Sequence, residues 1–360
     1  MRRTTRRPSS SIHSRRSQTV PSLPPRVVRR LLLPLSVLIL VVLGAMVSLV
    51  GLVGILAAPL TSRRRALRLS AFALSYCAVE LVAVGAGGLL WLRRAIPGRR
   101  GLASEEQWDL ANETLLAWAI GKVLSAGRRC LGFHVVVADS SDATELAGDD
   151  PVLVLARHAG PGDSFALVHL LLTRYHRRPR IVLKDILQLD PLIDLLLNRL
   201  GCCFLPSVSG DRPDVTERLA EMARSLRPRE ALLLFPEGAN WTPLRRRRAI
   251  DRLHRDRKLD AARAADLMAH VLPPRPAGVF ACLDARPGLR VVVVAHAGLD
   301  RVVNARQGWD LLPIKTPMKV RAWPTAEVPQ DREALLPWLT LEWAVVDEWV
   351  DAFHAGALRS

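Results

Sequence analysis

Residues 151–163 read Pro151-Val152-Leu153-Val154-Leu155-Ala156-Arg157-His158-Ala159-Gly160-Pro161-Gly162-Asp163. Val152 to Leu155 form an unbroken apolar run with the length of a buried strand, and the Gly and Pro that follow mark a turn. Arg157 and His158 are the first polar side chains beyond the strand. Asp163 stands where a second apolar pattern, Phe165, Ala166, Leu167, Leu170 and Leu171, opens a helix. On one continuous helix His158 and Asp163 would project about 140° apart. A strand-turn-helix junction instead lets the carboxylate fold back onto the imidazole. That contact fixes the tautomer and leaves the other ring nitrogen to take a proton from an alcohol. The bland alternative is a turn histidine with Asp163 as a helix N-cap.

Outward from this stretch, short apolar runs alternate with helical patterns. Strands are expected at 133–138, 151–156, 180–184, 202–206, 231–235, 289–295 and 318–323. Helices are expected at 163–175, 190–200, 213–227, 246–270 and 331–354, and Ser104-Glu105-Glu106 starts a further amphipathic helix. This alternation argues an α/β fold, a mostly open sheet with flanking helices. His158 then falls just past the carboxyl end of a strand, where such sheets place their ligands. Trp323, Trp338, Trp343 and Trp349 read as core and interfacial packing rather than a binding box.

The amino-terminal third has a different character. Residues 1–30 contain nine arginines and no acid, which reads as a disordered basic arm. Leu31 to Leu60 has no charged residue and Leu69 to Leu92 has only Glu80, each long enough for a bilayer crossing of about 20 residues. The domain division that follows is a basic arm (1–30), a membrane-embedded helical hairpin (31–100) and an α/β domain (101–360). Basic clusters flank both apolar segments and also lie between them, at Arg63, Arg64, Arg65 and Arg68. A two-span hairpin would push that middle cluster to the outer face, against the positive-inside tendency. Bends at Gly44, Gly51, Gly54 and Pro59 would instead let both segments return on one side, and the sequence leaves both topologies open.

The net charge of +17 rests on 46 Arg against 5 Lys, which favours an anionic partner. Arg245 to Arg248 begin a basic helix, but no aromatic series is interleaved for stacking bases. An anionic leaflet or the phosphates of a coenzyme fit better than nucleic acid. The five cysteines form no Cys-x-x-Cys pair and no even framework, so they read as buried thiols in a reducing compartment, with no metal site.

A second apolar run breaks into a turn at Leu232-Leu233-Leu234-Phe235-Pro236-Glu237-Gly238. His-x4-Asp followed by Phe-Pro-Glu-Gly resembles the glycerolipid acyltransferases, the lysophosphatidic acid and lysophospholipid acyltransferases, from about Val152 to Val294. The resemblance implies a membrane-attached enzyme that moves a fatty acyl group from acyl-CoA or acyl carrier protein to the hydroxyl of a lysophospholipid. His158 would be the general base, Asp163 its orienter, and the thioester a co-substrate with no other cofactor. It also implies that Glu237 lies in the acceptor-binding wall, with Gly238 admitting the substrate to the backbone. Lys184, followed by Leu187 and Pro191, and Arg275, in Leu272-Pro273-Pro274-Arg275, match further family elements. The family's amino-terminal helices dock in the membrane, which implies a catalytic domain facing the cytoplasm at the inner membrane.

Two positions depart from the family pattern. Ala239 replaces the usual Thr after the Phe-Pro-Glu-Gly motif. Ser207, in Gly201-Cys202-Cys203-Phe204-Leu205-Pro206-Ser207, stands where an arginine usually grips the acceptor phosphate, and a neutral hydroxyl cannot form a bidentate clamp. Either Arg212, Arg275 or Arg157 substitutes, or the acceptor is not a simple glycerol phosphate. Two rival functions use the same residues. A serine lipase or esterase would employ Ser164 of Gly162-Asp163-Ser164 with His354 of Asp351-x-x-His354. A non-catalytic lipid-binding scaffold would explain Ser207 and Ala239 as decay.

Overall fold

A computed structural model describes residues 24–57, 60–95, 104–138, 144–160, 162–205, 213–300, 302, 305–325 and 327–356. The chain begins with α1 (Arg26–Leu31), α2 (Leu33–Ala57), α3 (Leu60–Ala95) and α4 (Glu105–Ala126). Then follow β1 (Val135–Val137), α5 (Thr144–Ala147), β2 (Val152–Ala156), α6 (Asp163–Thr173), β3 (Arg178–Lys184), α7 (Pro191–Arg199) and β4 (Cys203–Leu205). The last part is α8 (Pro213–Arg224), β5 (Glu230–Leu234), α9 (Pro243–Arg255), α10 (Leu259–Leu267), α11 (Pro276–Ala285), β6 (Arg290–Ala297), α12 (Ala305–Asp310), β7 (Met318–Pro324) and α13 (Arg332–Ala355).

The seven strands form one sheet in the order β1-β7-β6-β2-β5-β3-β4. β6, β2, β5, β3 and β4 run parallel, whereas β7 is antiparallel to β6 and carries β1 parallel to itself. β2 and β5 lie side by side in the interior, and all five residues of each are buried. Both faces of a parallel sheet are covered, which is why these strands read as continuous apolar runs rather than alternating ones. Successive side chains still divide between two cores. Val152, Val154 and Ala156 pack with α4, α6 and α7, while Leu153 and Leu155 pack with α8, α11 and α13. Trp338, Trp343 and Trp349 are buried in that second core.

Three expectations change. The expected disordered arm overlaps a helix: α1 is formed by Arg26–Leu31, and Arg29 donates to Asp194 (2.8 Å) and Gln188 (2.6 Å) of the α/β unit. The expected helix at 246–270 is two helices, α9 and α10, separated at Arg257, whose φ is 56°. A further helix, α11, starts with Pro276 at its first turn, a position where the missing N–H costs nothing.

α2 and α3 form an antiparallel pair. A Cβ on Gly44 would lie 3.9 Å from Cys77, and one on Gly51 only 2.5 Å from the Ser70 hydroxyl. Gly44 and Gly51 therefore admit close helix packing rather than bends, and α2 runs unbroken through them; Pro59 lies outside the described residues. Leu33–Val53 and Arg64–Ala95 are long and apolar enough to cross a membrane. They differ in surroundings. Leu38, Val41, Leu49 and Val53 of α2 are exposed, whereas Ala83 and Val84 of α3 are buried in the first core with α4 and α7.

Candidate active site

β2 ends at Ala156, and the chain turns at the carboxyl edge of the sheet between the ends of β5 and β6. Gly162 has φ 87°, a conformation glycine adopts without strain, and it swings Asp163 to the first position of α6. From there the carboxylate faces back into the preceding loop. Its Oδ2 accepts from His158 Nδ1 (2.9 Å), Ala159 N (2.9 Å) and Gly160 N (3.2 Å), and its Oδ1 accepts from Ser164 N (2.6 Å). Gly162, not Asp163, occupies the N-cap position, so the carboxylate organises the loop rather than capping the helix. Asp163 is 1% exposed. Burial alone would raise its pKa, but the hydrogen bond from His158, the electrostatic pull of the His296 and His158 rings on the ionised form and the Ala159 N–H outweigh it and hold the group below the usual carboxylate range.

His158 is about one-fifth exposed and lies 4.6 Å, centroid to centroid, from the Phe235 ring. With Nδ1–H committed to a carboxylate, Nε2 presents its lone pair, and it has no partner among the described residues. The peptide unit that carries the histidine is held from both sides. Glu237 Oε1 accepts from His158 N (3.2 Å), and His296 Nε2 donates to the Arg157 carbonyl (2.7 Å). His296 is fully buried at the end of β6, and its Nε2 is also 3.5 Å from Asp163 Oδ2. Burial lowers the pKa of His296, and its Nδ1 is buried with no partner among the described residues, which suits a neutral Nε2–H imidazole.

Glu237 differs from its expected role. It is 1% exposed, and its second oxygen accepts from Leu272 N (3.0 Å). Burial pushes its pKa up to about 8 against the opposing charge of Arg157 and the two backbone donors. A carboxylate enclosed in this way does not line an acceptor wall; it joins the loop after β2 to the loop before α11. Gly238 has φ 67°, and a Cβ there would come within 3.2 Å of the Arg275 guanidinium. Arg275 N in turn donates to the Pro236 carbonyl (2.8 Å), so Arg275 lies against the Phe-Pro-Glu-Gly turn. Its exposed guanidinium has no ion pair among the described residues.

The remaining expected residues are less close. Lys184 is exposed at the carboxyl end of β3, on the same edge of the sheet, and makes no hydrogen bond or ion pair among the described residues. Arg212 and Ser207 lie outside the described residues. Arg157 cannot act as the replacement phosphate clamp. Its guanidinium is fully buried, donating to the carbonyls of His270 (2.6 and 3.0 Å) and His296 (2.7 Å) and pairing with Asp300 (2.8 Å). The serine hydrolase arrangement is also missing. The Ser164 hydroxyl donates to Asp163 (3.1 Å), and His354 pairs with Asp300 (2.9 Å), not with the serine. His296 and Trp241 were not singled out by the sequence. Trp241 N donates to the His158 carbonyl (2.6 Å), a contact without a side-chain signature.

Residues 135–279 match the family model described as acyltransferase. The sheet edge carrying His158 and Asp163 thus belongs to an acyltransferase domain, and the protein is an acyltransferase. Its fold is similar to the crystal structure of the 1-acyl-sn-glycerophosphate (LPA) acyltransferase PlsC from Thermotoga maritima, with a TM-score of 0.52 and 17% identity. The similarity covers 81% of this chain and 98% of that one. No curated protein matches the chain. The acyltransferase domain match and the fold similarity cover the same sheet and the same edge.

Proposed function

We propose that this chain is a membrane-attached O-acyltransferase that transfers a fatty acyl group from a thioester donor, acyl-CoA or acyl carrier protein, to the hydroxyl of a lysophospholipid. The reading extends to 1-acylglycerol-3-phosphate or a related lysolipid as acceptor, and to the cytoplasmic face of the inner membrane as location. The observation that carries it is the His158–Asp163 contact: a half-open imidazole oriented by a buried carboxylate, with Nε2 unoccupied.

His158 Nε2 takes the acceptor's hydroxyl proton as the oxygen attacks the thioester carbonyl. The tetrahedral adduct collapses with cleavage of the C–S bond, and the imidazolium returns the proton to the departing thiolate. The products are an ester and a free thiol, and no acyl-enzyme is formed. Asp163 stabilises the imidazolium while staying ionised, as its lowered pKa favours. Metal ions and further cofactors have no part in this scheme. Arg275 and Lys184, the exposed cations of this edge without ion pairs among the described residues, are the proposed contacts for the acceptor's phosphate in place of the arginine lost at Ser207.

The test uses purified protein in detergent with radiolabelled acyl-CoA, and separately with acyl carrier protein. The acceptor panel is lysophosphatidic acid, lysophospholipids with larger headgroups and a neutral glycolipid. His158→Ala is expected to lower turnover by about 10²–10⁴-fold. Arg275→Ala is expected to raise KM for lysophosphatidic acid by about tenfold without an equal change for a neutral acceptor. Absence of transfer from either donor to every acceptor would sink the reading.

A further inference from the structure

We propose that the cavity between α9, α10 and His270 binds the phosphorylated adenine-nucleotide end of an acyl-CoA donor; this rests on the acyl-transfer reading above. The cavity measures about 610 Å³, and its lining includes Trp241, Arg246, Arg247, Asp251, His254 and His270. Two of its walls are tied directly to the catalytic dipeptide. Trp241 N donates to the His158 carbonyl (2.6 Å), and Arg157 donates to the His270 carbonyl through Nε (3.0 Å) and Nη2 (2.6 Å). A ligand seated there has a fixed relation to the reacting thioester.

The chemistry of the lining selects the ligand. Arg246 is committed to the structure, donating to the carbonyls of Ala265, Asp266 and Met268 at the end of α10. Arg247 is exposed and has no hydrogen bond or ion pair among the described residues, so its charge is available to a phosphate. Arg245, Arg248, Arg252 and Arg255 on the same helix extend the positive field around the cavity. Trp241 offers an aromatic face, and its indole N–H is buried with no partner among the described residues. Asp251 supplies an acceptor suited to an exocyclic amine. Anion, aromatic base and amine together describe a purine nucleotide better than a lipid headgroup.

Position supports the same ligand. Met268 and Val271, which follow α10, are buried in the core on the sheet face opposite the one that buries Ala83 and Val84 of α3. The cavity therefore lies away from the apolar hairpin, where the water-soluble part of a donor would extend while its acyl chain stays with lipid.

The experiment compares full-length wild type with Arg247→Glu and Trp241→Leu, the latter keeping the backbone N–H that holds His158. Binding of radiolabelled coenzyme A is measured by equilibrium dialysis in detergent. Kinetics are measured with acyl-CoA and with the same acyl group carried on pantetheine, which lacks the nucleotide. Arg247→Glu is expected to weaken coenzyme A binding and raise KM for acyl-CoA by about tenfold or more. Its kcat, and its kcat/KM for acyl-pantetheine, should stay at wild-type values. Equal losses with both donors, or unchanged coenzyme A binding, would overturn the proposal. Transfer from acyl carrier protein without any coenzyme A binding would remove the nucleotide site and leave the acyltransferase reading standing. Coenzyme A binding lost in Arg247→Glu, without transfer to any acceptor, would support the site while that reading fails.

Discussion

The peptide unit between Arg157 and His158 has both polar groups held by buried side chains, His296 on its carbonyl and Glu237 on its N–H. A general base must sit within a few tenths of an ångström of its working position, and misplacement by about 1 Å can cost 10²-fold in rate. His296 is accordingly a positioning residue. His296→Leu leaves the Arg157 carbonyl buried without a donor, a cost of about 1–3 kcal/mol in stability, and is expected to lower kcat by at least tenfold with KM little changed. His296→Gln can present an N–H to the same carbonyl and is expected to recover much of that rate. Equal kcat in the two variants, after matching their thermal stability, would reduce His296 to packing. Asp163→Asn tests the partner on the other side. An amide cannot hold the Nδ1–H tautomer as a carboxylate does, and the expected loss in kcat is about 10²–10⁴-fold.

At the scale of elements, Glu237 joins the turn after β5 to the loop after β2 and the loop before α11. Burial raises its pKa from 4.5 to about 8, so the fold favours the protonated group more than the unfolded chain does. Its stabilising contribution is full below about pH 4.5 and is lost as pH climbs through about 8. Urea midpoints between pH 5 and 9 should fall in the wild type. They should fall less in Glu237→Gln, which starts lower because one backbone N–H loses its acceptor, so the gap between the two proteins narrows toward pH 9. A wild-type midpoint that rises across that interval would contradict this sign. The same element separates what the sequence discloses from what it hides. Leu153 and Leu232 are buried on both sides of a parallel sheet, so their segments read as strands in any window of the sequence. β2 and β5 were legible for this reason, the other five strands as shorter or partly buried apolar runs, and the fold-back of Asp163 because Gly162 marks the turn. The enclosure of Glu237 was not legible, since its second donor, Leu272, is far along the chain. Nor was His296, which sits inside an apolar strand and meets Arg157 only across the sheet. The break between α9 and α10 carries no Gly or Pro, and Arg257 adopts a positive φ without any local signal.

Across the whole molecule, α3 touches the α/β unit along its length. Near its start, Arg65 donates to the Leu312 carbonyl (3.2 Å) and Arg68 to that of Cys130 (2.9 Å). In the middle, the Tyr76 hydroxyl bonds Asp190, and Glu80 accepts from Leu192 N (3.3 Å). Toward its end, Arg199 donates to the Gly87 carbonyl (3.0 Å) and Arg94 pairs with Glu105. Arg65 to Arg94 extends over roughly 44 Å of helix, more than the ~30 Å of a hydrocarbon core. A helix crossing the bilayer would carry one of these ends to the opposite surface, away from a domain that contacts both. These contacts favour an attachment from one side, with α3 against the domain and the exposed apolar surface of α2 turned to lipid. On a one-sided attachment the basic clusters that the sequence places before, between and after the two apolar segments would all meet one anionic leaflet, in accord with the positive-inside tendency. The prediction concerns a single cysteine placed at Ser62, beside that turn, in a variant whose native cysteines are replaced. In intact cells it should resist an impermeant maleimide, and it should react once the membrane is opened. Reaction in intact cells would mean that the hairpin crosses the bilayer, and the contacts of Arg65 and Arg68 with the domain would then have to break in the membrane.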